Sequence, residues 1–244
     1  ALVVAFRPFS GGRPQVLRAS ALAPAILPCL VFGQTTVLWM AGLVAALATL
    51  RAERPILAGL FIGCLTLKPQ LGLLVPVALL AAGAWPTILS ATLTTAVLAV
   101  GPTLYFGTGY WPRMIDMMAI HGEKVREASA VTSHMVSPYS AMAGVGMSEA
   151  LALTAQWVLT AICVLVVFLV WRRKTVPFDL RAACLVTAIP LASPYFWFYE
   201  SALLAPAALL MWRAGVLRAG PGGIVLGLAM WLGLAPPLLV VLLT

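Results

Sequence analysis

Charged residues are scarce in this chain, and the common signatures of soluble enzymes are missing. Only 9% of the 244 residues are charged and 62% are hydrophobic, whereas ordinary soluble domains are about 25% charged. The sequence contains no Walker loop and no Rossmann glycine pattern. It also lacks the His-Glu-x-x-His and Gly-x-Ser-x-Gly motifs. Nucleotide-driven cytoplasmic chemistry therefore has no support in the sequence.

Cysteine is rare as well, with four residues in the whole chain. All of them lie in apolar surroundings, and no Cys-x-x-Cys or Cys/His spacing is present, so they fit small helix-packing residues better than metal ligands or disulfide partners. We expect no metal site and no cofactor. The cysteines are Cys29, Cys64, Cys163 and Cys184.

The chain instead consists of long apolar runs separated by short basic clusters, the pattern of a polytopic membrane protein. The 15 Lys and Arg outnumber the 7 Asp and Glu, but they lie at the ends of the apolar runs, as the positive-inside rule expects. Binding to nucleic acid would require these Lys and Arg side chains to lie together on one face of a soluble domain. We predict an all-α integral membrane protein that contacts the lipid bilayer and not nucleic acid. Residues 1–244 would form one transmembrane domain of about eight or nine membrane helices, several of them short or broken.

The first residue of the chain, Ala1, already lies inside an apolar stretch, and no signal peptide is recognisable. We therefore expect the chain to be the C-terminal part of a longer membrane protein.

The most informative local feature is Lys68-Pro69-Gln70. Lys68 is the only charged residue between Pro55 and Trp85, and a lysine at the centre of a spanning helix costs roughly 2.5–3.5 kcal/mol. Pro69 removes a helical N–H and biases Lys68 away from helical dihedrals. A broken helix is tolerated in a bilayer only where protein or a water-filled cavity satisfies the freed backbone groups. The charge and the break together indicate a ligand site.

The basic clusters predict which side of the membrane each loop faces. Arg172–Lys174 is the strongest signal for the cytoplasmic side, so the polar stretch one helix before it, 107–146, is expected to be an extracytoplasmic loop. Arg51 and Arg54 also belong inside, and an odd number of crossings must then separate them from that loop. If 55–67 and 71–83 are two short helices, they and the helix 85–106 make three crossings, which is an odd number. The break at Lys68–Gln70 then faces the extracytoplasmic side.

The same count places two further helix breaks outside. One is Gly33-Gln34, and the other is Ser193-Pro194-Tyr195. The helix breaks and the long loop therefore converge on the extracytoplasmic face, where we expect the ligand site.

Lys68 and Gln70 are the main candidates for ligand binding. Lys68 could contact a phosphate or carboxylate as a point charge, and Gln70 could bond hydroxyl groups. The alternative is that Lys68 extends its amine to the membrane interface. Gln34 could bond sugar hydroxyls or could cap a helix turn.

The few acids and histidines supply the other candidates. Glu200 follows an aromatic cluster that includes Tyr195, although interfacial aromatic belts explain most of that cluster. Glu200 could lie at a helix N-terminus, or pair with Lys68 or a ligand. His134 could bond a phosphate or act as an acid or base, but a lone loop histidine more often does neither. Asp116 lies in what looks like a solvated or interfacial amphipathic stretch. The catalytic residue stays unassigned among Glu200, Asp116 and His134.

Four motifs gain meaning when they are taken together. They are Gly33-Gln34 before an apolar helix, Arg54-Pro55-Ile56-Leu57-Ala58-Gly59-Leu60-Phe61-Ile62-Gly63, Leu67-Lys68-Pro69-Gln70, and Ser193-Pro194-Tyr195. In combination they resemble glycosyltransferase family 87, which is similar to the polyprenol-phosphate-mannose-dependent α-mannosyltransferases of actinobacteria. The resemblance covers most of the chain from Leu30 to Glu200.

The resemblance implies a GT-C helical bundle in the bacterial plasma membrane, with its active site on the extracytoplasmic side. It implies a hexosyltransferase that moves mannose, with inversion, from a polyprenyl-phosphate donor to a lipid or glycan acceptor. Inversion needs a carboxylate base and a cationic pocket for the leaving phosphate. Lys68 and Gln70 fit the pocket, and His134 could assist. Gln34 and Tyr195 are further substrate-binding candidates.

The catalytic base that the resemblance implies has no counterpart in this chain. Members of this superfamily usually carry a catalytic aspartate in the first outer loop, and no matching acidic motif is found in this chain. We therefore expect residues 1–244 alone to bind the donor at most, without turnover.

Two other functions stay open at this point. Broken helices and an intramembrane lysine also suit a transporter or flippase, although the inverted internal repeat that would favour one is not seen. A non-catalytic membrane assembly partner is the third possibility.

Overall fold

The chain folds as a bundle of α-helices. The computed structural model describes residues 2–127, 134–218 and 220–233, and these residues form no β-strand beyond one isolated bridge. The prediction of an all-α protein is confirmed. In chain order the helices are α1 (Leu2–Phe6), α2 (Pro14–Ala21), α3 (Leu27–Val31), α4 (Thr36–Arg51), α5 (Pro55–Cys64), α6 (Leu74–Ala82), α7 (Trp85–Phe106), α8 (Tyr110–Glu127), α9 (Pro138–Gly144), α10 (Glu149–Arg172), α11 (Phe178–Ala192), α12 (Leu204–Arg213) and α13 (Pro221–Leu232).

Three helical stretches are long and apolar enough to cross a membrane. They are Pro14–Val31, Trp85–Phe106 and Glu149–Arg172. Others are apolar but shorter than the roughly 20 residues that a straight span needs, among them Thr36–Arg51 and Pro221–Leu232. The expectation of a membrane protein with several short helices is confirmed.

The helix break at Lys68 is present. After α5 the chain continues as a 3₁₀ turn, and Lys68 then leaves the helical region with φ −134° and ψ 75°. A second 3₁₀ turn, Pro69–Leu71, precedes α6. The carbonyl of Leu65, whose α-helical partner would be the missing N–H of Pro69, accepts a hydrogen bond of 2.8 Å from the buried indole of Trp39 and one of 3.1 Å from the Lys68 N–H. Protein groups thus replace helical bonds at the break, as an apolar environment demands.

Two glycines of α5 allow it to pack closely against α7. A Cβ on Gly59 would lie 2.4 Å from the Cβ of Ser90, and one on Gly63 would lie 2.4 Å from the Cβ of Thr94. Ser90 also donates a 2.8 Å hydrogen bond to the carbonyl of Ile56. Small residues spaced four apart are the usual device for close helix contact in membranes.

Gly63→Ala tests this contact. We expect the added methyl group to push α5 and α7 apart and to lower the free energy of unfolding by about 1–3 kcal/mol. The control is Gly222→Ala in the first turn of α13, where a Cβ meets nothing within 4 Å. That change should stabilise the helix by up to about 1 kcal/mol. Unfolding in detergent would measure both, and equal midpoints for the two variants would contradict the close contact.

The segment 107–146 contains two helices where the structure describes it. They are α8 and α9. Asp116 is exposed on α8. The extracytoplasmic position of this segment stays a prediction.

An ion cluster ties four segments together near the ends of α4 and α12. Arg213 donates from Nε to Asp179 Oδ2 (3.1 Å) and from Nη1 to the carbonyl of Phe9 (2.9 Å). Arg51 Nη1 lies 3.2 Å from the other oxygen of Asp179. The carboxylate of Asp179 therefore forms ion pairs with two guanidinium groups.

Candidate functional site

Lys68 turns its amine into the bundle. Nζ donates hydrogen bonds to Thr36 Oγ1 (2.7 Å) and to Glu200 Oε1 (3.2 Å). It also lies 5.3 Å from the centre of the Tyr199 ring, within the range of a cation–π contact. The Lys68 side chain is 14% exposed and that of Glu200 is 1% exposed. The amine therefore contacts protein groups on three sides.

Glu200 meets two of the expectations for it at once. It lies in the first turn of a 3₁₀ helix, Phe198–Leu203, where its Oε2 accepts a 3.0 Å hydrogen bond from the Trp197 N–H. Its other oxygen faces Lys68. Both carboxylate oxygens are thus engaged in a buried position, where an unpaired charge would be strongly unfavourable.

Thr36 reaches Lys68 because of the Gly33-Gln34 turn. Gly33 has φ 61°, a left-handed conformation that glycine adopts at little cost, and the Gln34 N–H donates to the Cys29 carbonyl at 2.8 Å. Helix α4 starts two residues later with Thr36, which is fully buried. Gln34 itself is half-buried.

His134 belongs to a segment that pairs with the Glu200 segment. The Val136 N–H donates to the Phe196 carbonyl (2.7 Å), and the Phe198 N–H donates to the His134 carbonyl (3.0 Å). The exposed His134 ring lies 6.0 Å from that of Phe198. These contacts join residues 134–136 to residues 196–198, and they bring His134 to the aromatic segment before Glu200.

The other predicted residues lie around this site to different degrees. Gln70 is exposed next to the break, and Tyr195 is 47% exposed in the segment that leads to Glu200. Asp116 lies on α8 and is not among the contacts of Lys68. The ligand roles predicted for Gln34, Gln70, Tyr195 and His134 stay predictions.

Sequence reasoning missed Thr36 and Tyr199, which complete the surroundings of the Lys68 amine. A weak signal for Thr36 was present, because Gln34, Thr35 and Thr36 are three polar residues in a row between apolar runs. Nothing local distinguished Tyr199 from its aromatic neighbours.

The Lys68 amine has the donor chemistry that anion binding requires. An ammonium group has three N–H donors, and Lys68 directs two of them at Thr36 and Glu200. A phosphate could take the third donor, or could replace the carboxylate. Within the described residues no cluster of three or more His, Cys, Asp or Glu could hold a metal ion.

Comparison with protein families gives a match over most of the chain. The family model described as Glycosyltransferase family 87 matches residues 1–194. No curated protein and no solved structure matches the chain. The matched region contains Lys68, Thr36 and His134, and it ends six residues before Glu200.

Proposed function

The chain belongs to glycosyltransferase family 87, a family of membrane glycosyltransferases, and on this premise we propose that it moves mannose from a polyprenyl-phosphate donor to a lipid or glycan acceptor. The transfer would take place at the extracytoplasmic face of the bacterial plasma membrane. Family membership favours sugar transfer over the transporter and the assembly partner.

The observation that carries the proposal is the mostly buried Lys68 amine at a helix break. In the proposed reaction the acceptor oxygen bonds to the anomeric carbon of the donor, and the bond from that carbon to the phosphate oxygen breaks. Negative charge then develops on the leaving polyprenyl phosphate. A fixed cation stabilises such charge most strongly where water is excluded. Lys68 would supply it, held in place by Thr36 and Glu200.

The burial of Glu200 bears on its role. A general base must reach the acceptor hydroxyl directly or through one water. Glu200 is 1% exposed, and its oxygens bond Lys68 and the Trp197 N–H. This supports Glu200 as the counterion of Lys68, so the acceptor proton would pass to another carboxylate.

A reconstitution experiment tests the proposed function. The complete natural protein would be placed in vesicles with polyprenyl-phosphate mannose, labelled in the sugar, and a set of lipid and glycan acceptors. We expect label to become covalently attached to an acceptor. Passage of unchanged donor across the membrane, with no labelled product, would instead indicate a flippase. Protein without donor and vesicles without protein are the controls.

The orientation in the membrane can be tested separately. In a cysteine-free background we expect Val145→Cys, at a position that is 84% exposed, to react in intact cells with a membrane-impermeant thiol reagent. Thr175→Cys, between α10 and α11, should react only after the membrane is permeabilised. The reverse labelling pattern would show that 107–146 is cytoplasmic and that the Lys68 break faces inward.

A further inference from the structure

A buried amide lies in the N-terminal third of the most hydrophobic candidate span. The most apolar 18-residue stretch of helix α10 has a mean hydropathy of 2.4, against 1.3 and 1.5 for the other two candidate spans. Gln156 lies on it and is completely buried. Polar groups at such positions need partners within the protein, since neither lipid nor water can provide them.

Gln156 finds a partner for each polar group of its amide. Nε2 donates to the Leu191 carbonyl (2.9 Å) and to Thr160 Oγ1 (3.3 Å), and Oε1 accepts from the Tyr139 N–H (3.0 Å). One turn along α10, the Thr160 hydroxyl lies 2.8 Å from the Ala192 carbonyl and 2.9 Å from the Gln156 carbonyl, and the two acceptors share its single hydrogen. Two side chains of α10 therefore bond two adjacent carbonyls of α11.

These carbonyls need outside partners because α11 ends there. Ser193 is extended, with φ −90° and ψ 118°, and Pro194 has no N–H to offer. The last carbonyls of a helix have no intrahelical donor. Gln156 and Thr160 supply donors for Leu191 and Ala192.

The residues that follow α11 lead to the Lys68–Glu200 pair. Residues 196–198 pair with residues 134–136, and Trp197 then bonds the Glu200 carboxylate. Gln156 bonds a residue near each paired segment, Leu191 before residues 196–198 and Tyr139 after residues 134–136. A single amide thus connects the two segments to a long, regular helix.

We infer that Gln156, with Thr160, is a positioning residue for the Lys68–Glu200 site. It acts through the segment 193–200, which it fixes relative to α10. This inference rests on the proposed function, because the site is taken there as the donor phosphate site. Loss of the bonds from α10 would let the segment shift and would move Glu200, and with it the Lys68 amine.

Hydrogen exchange of the complete natural protein in lipid nanodiscs tests the structural part without any substrate. For Gln156→Leu and the milder Thr160→Val we expect amide hydrogen exchange to be faster than in the wild type by roughly tenfold or more in peptides covering 134–140 and 193–203. Peptides of α5 and α7 should be unchanged. Thr154→Val is the matched control, since the Thr154 hydroxyl on the same helix is exposed and bonds only locally, to the Ala150 carbonyl (2.7 Å).

Donor kinetics test the functional part. We expect Gln156→Leu and Thr160→Val to raise KM for the donor by roughly tenfold. Thr160→Ser, which keeps the hydroxyl, and Thr154→Val should retain the donor KM of the wild type. A residue that only supports folding would lower the amount of active protein and therefore the apparent kcat, and it would leave KM unchanged.

The outcomes separate this inference from the proposed function. Faster exchange throughout the protein, or no change at 134–140 and 193–203, would overturn the positioning role. Suppose that Lys68→Met does impair sugar transfer from the donor. An unchanged donor KM in Thr160→Val, together with locally faster hydrogen exchange, would then also overturn the positioning role. If Lys68→Met has no effect on sugar transfer either, Lys68 does not bind the donor phosphate. Locally faster exchange would still show that the hydrogen bonds from α10 hold the segment 193–200 in place.

Discussion

Lys68→Met is expected to remove most of the sugar transfer activity. The substitution keeps the apolar stem and deletes the cation, and it should lower transition-state stabilisation by about 2–4 kcal/mol, or roughly 30- to 1000-fold in kcat/KM. The reason is that a fixed ammonium in a site shielded from water stabilises a developing phosphate charge far better than water does. Initial rates at several donor concentrations would measure the effect.

The single variant has a second consequence that must be separated from the first. It leaves Glu200 buried without its counterion, and removing one partner of a buried ion pair destabilises a protein by about 3–5 kcal/mol. The double variant Lys68→Met/Glu200→Gln removes both charges. We expect it to recover much of the lost thermal stability and still to lack transfer activity. Recovery of near wild-type transfer in the double variant would mean that Lys68 serves only to neutralise Glu200.

Asp179→Asn should cause the second largest change, this time in stability. Asp179 balances Arg51 and Arg213, and its side chain is 17% exposed. Asparagine keeps the shape and removes the charge, so two guanidinium groups would face each other without an anion. Because Arg51 is 39% exposed and partly screened by solvent, we expect a loss of about 2–3 kcal/mol.

Thermal and denaturant unfolding in detergent would measure this loss. Glu53→Gln is the matched control, since it removes an exposed acid from the turn between α4 and α5 and should change stability by less than about 0.5 kcal/mol. Equal stability of the two variants would mean that the cluster contributes no more than an ordinary surface charge.

The helix break was predictable because its causes are local. A proline, a charge and an amide interrupt an apolar run, and each acts on the backbone or the solvation of its own neighbours. The membrane class followed from composition in the same way. The 3₁₀ turns on either side of Lys68 agree with that interpretation.

The partner of Lys68 could not be chosen from sequence. Glu200 is 132 residues away, and it was one of several options for a buried cation. The choice depends on how α4, the break and the segment after α11 meet in space. No local sequence pattern predicts how these segments pack together. For the same reason, the contacts of Thr36 and Tyr199 with Lys68 could not be predicted.

The hydrogen bonds that Gln156 makes to Leu191 and Tyr139 were not predicted, although the sequence contains an indication of them. A glutamine within an apolar run as long as α10 is itself unusual, and intramembrane polar residues commonly bond other parts of the protein. The two carbonyls that it and Thr160 serve become apparent only once the end of α11 at Ala192 is known. Similarly, 107–146 was recognised as polar, but its helices α8 and α9 were not predicted.

The donor-phosphate role of Lys68 is tested most directly by a cryo-electron microscopy map of the complete natural protein in lipid nanodiscs with bound polyprenyl-phosphate mannose. We expect density for the phosphate within hydrogen-bond distance of Lys68 Nζ, with the sugar towards the extracytoplasmic face. Phosphate density elsewhere, with the Lys68–Glu200 pair intact and dry, would contradict it.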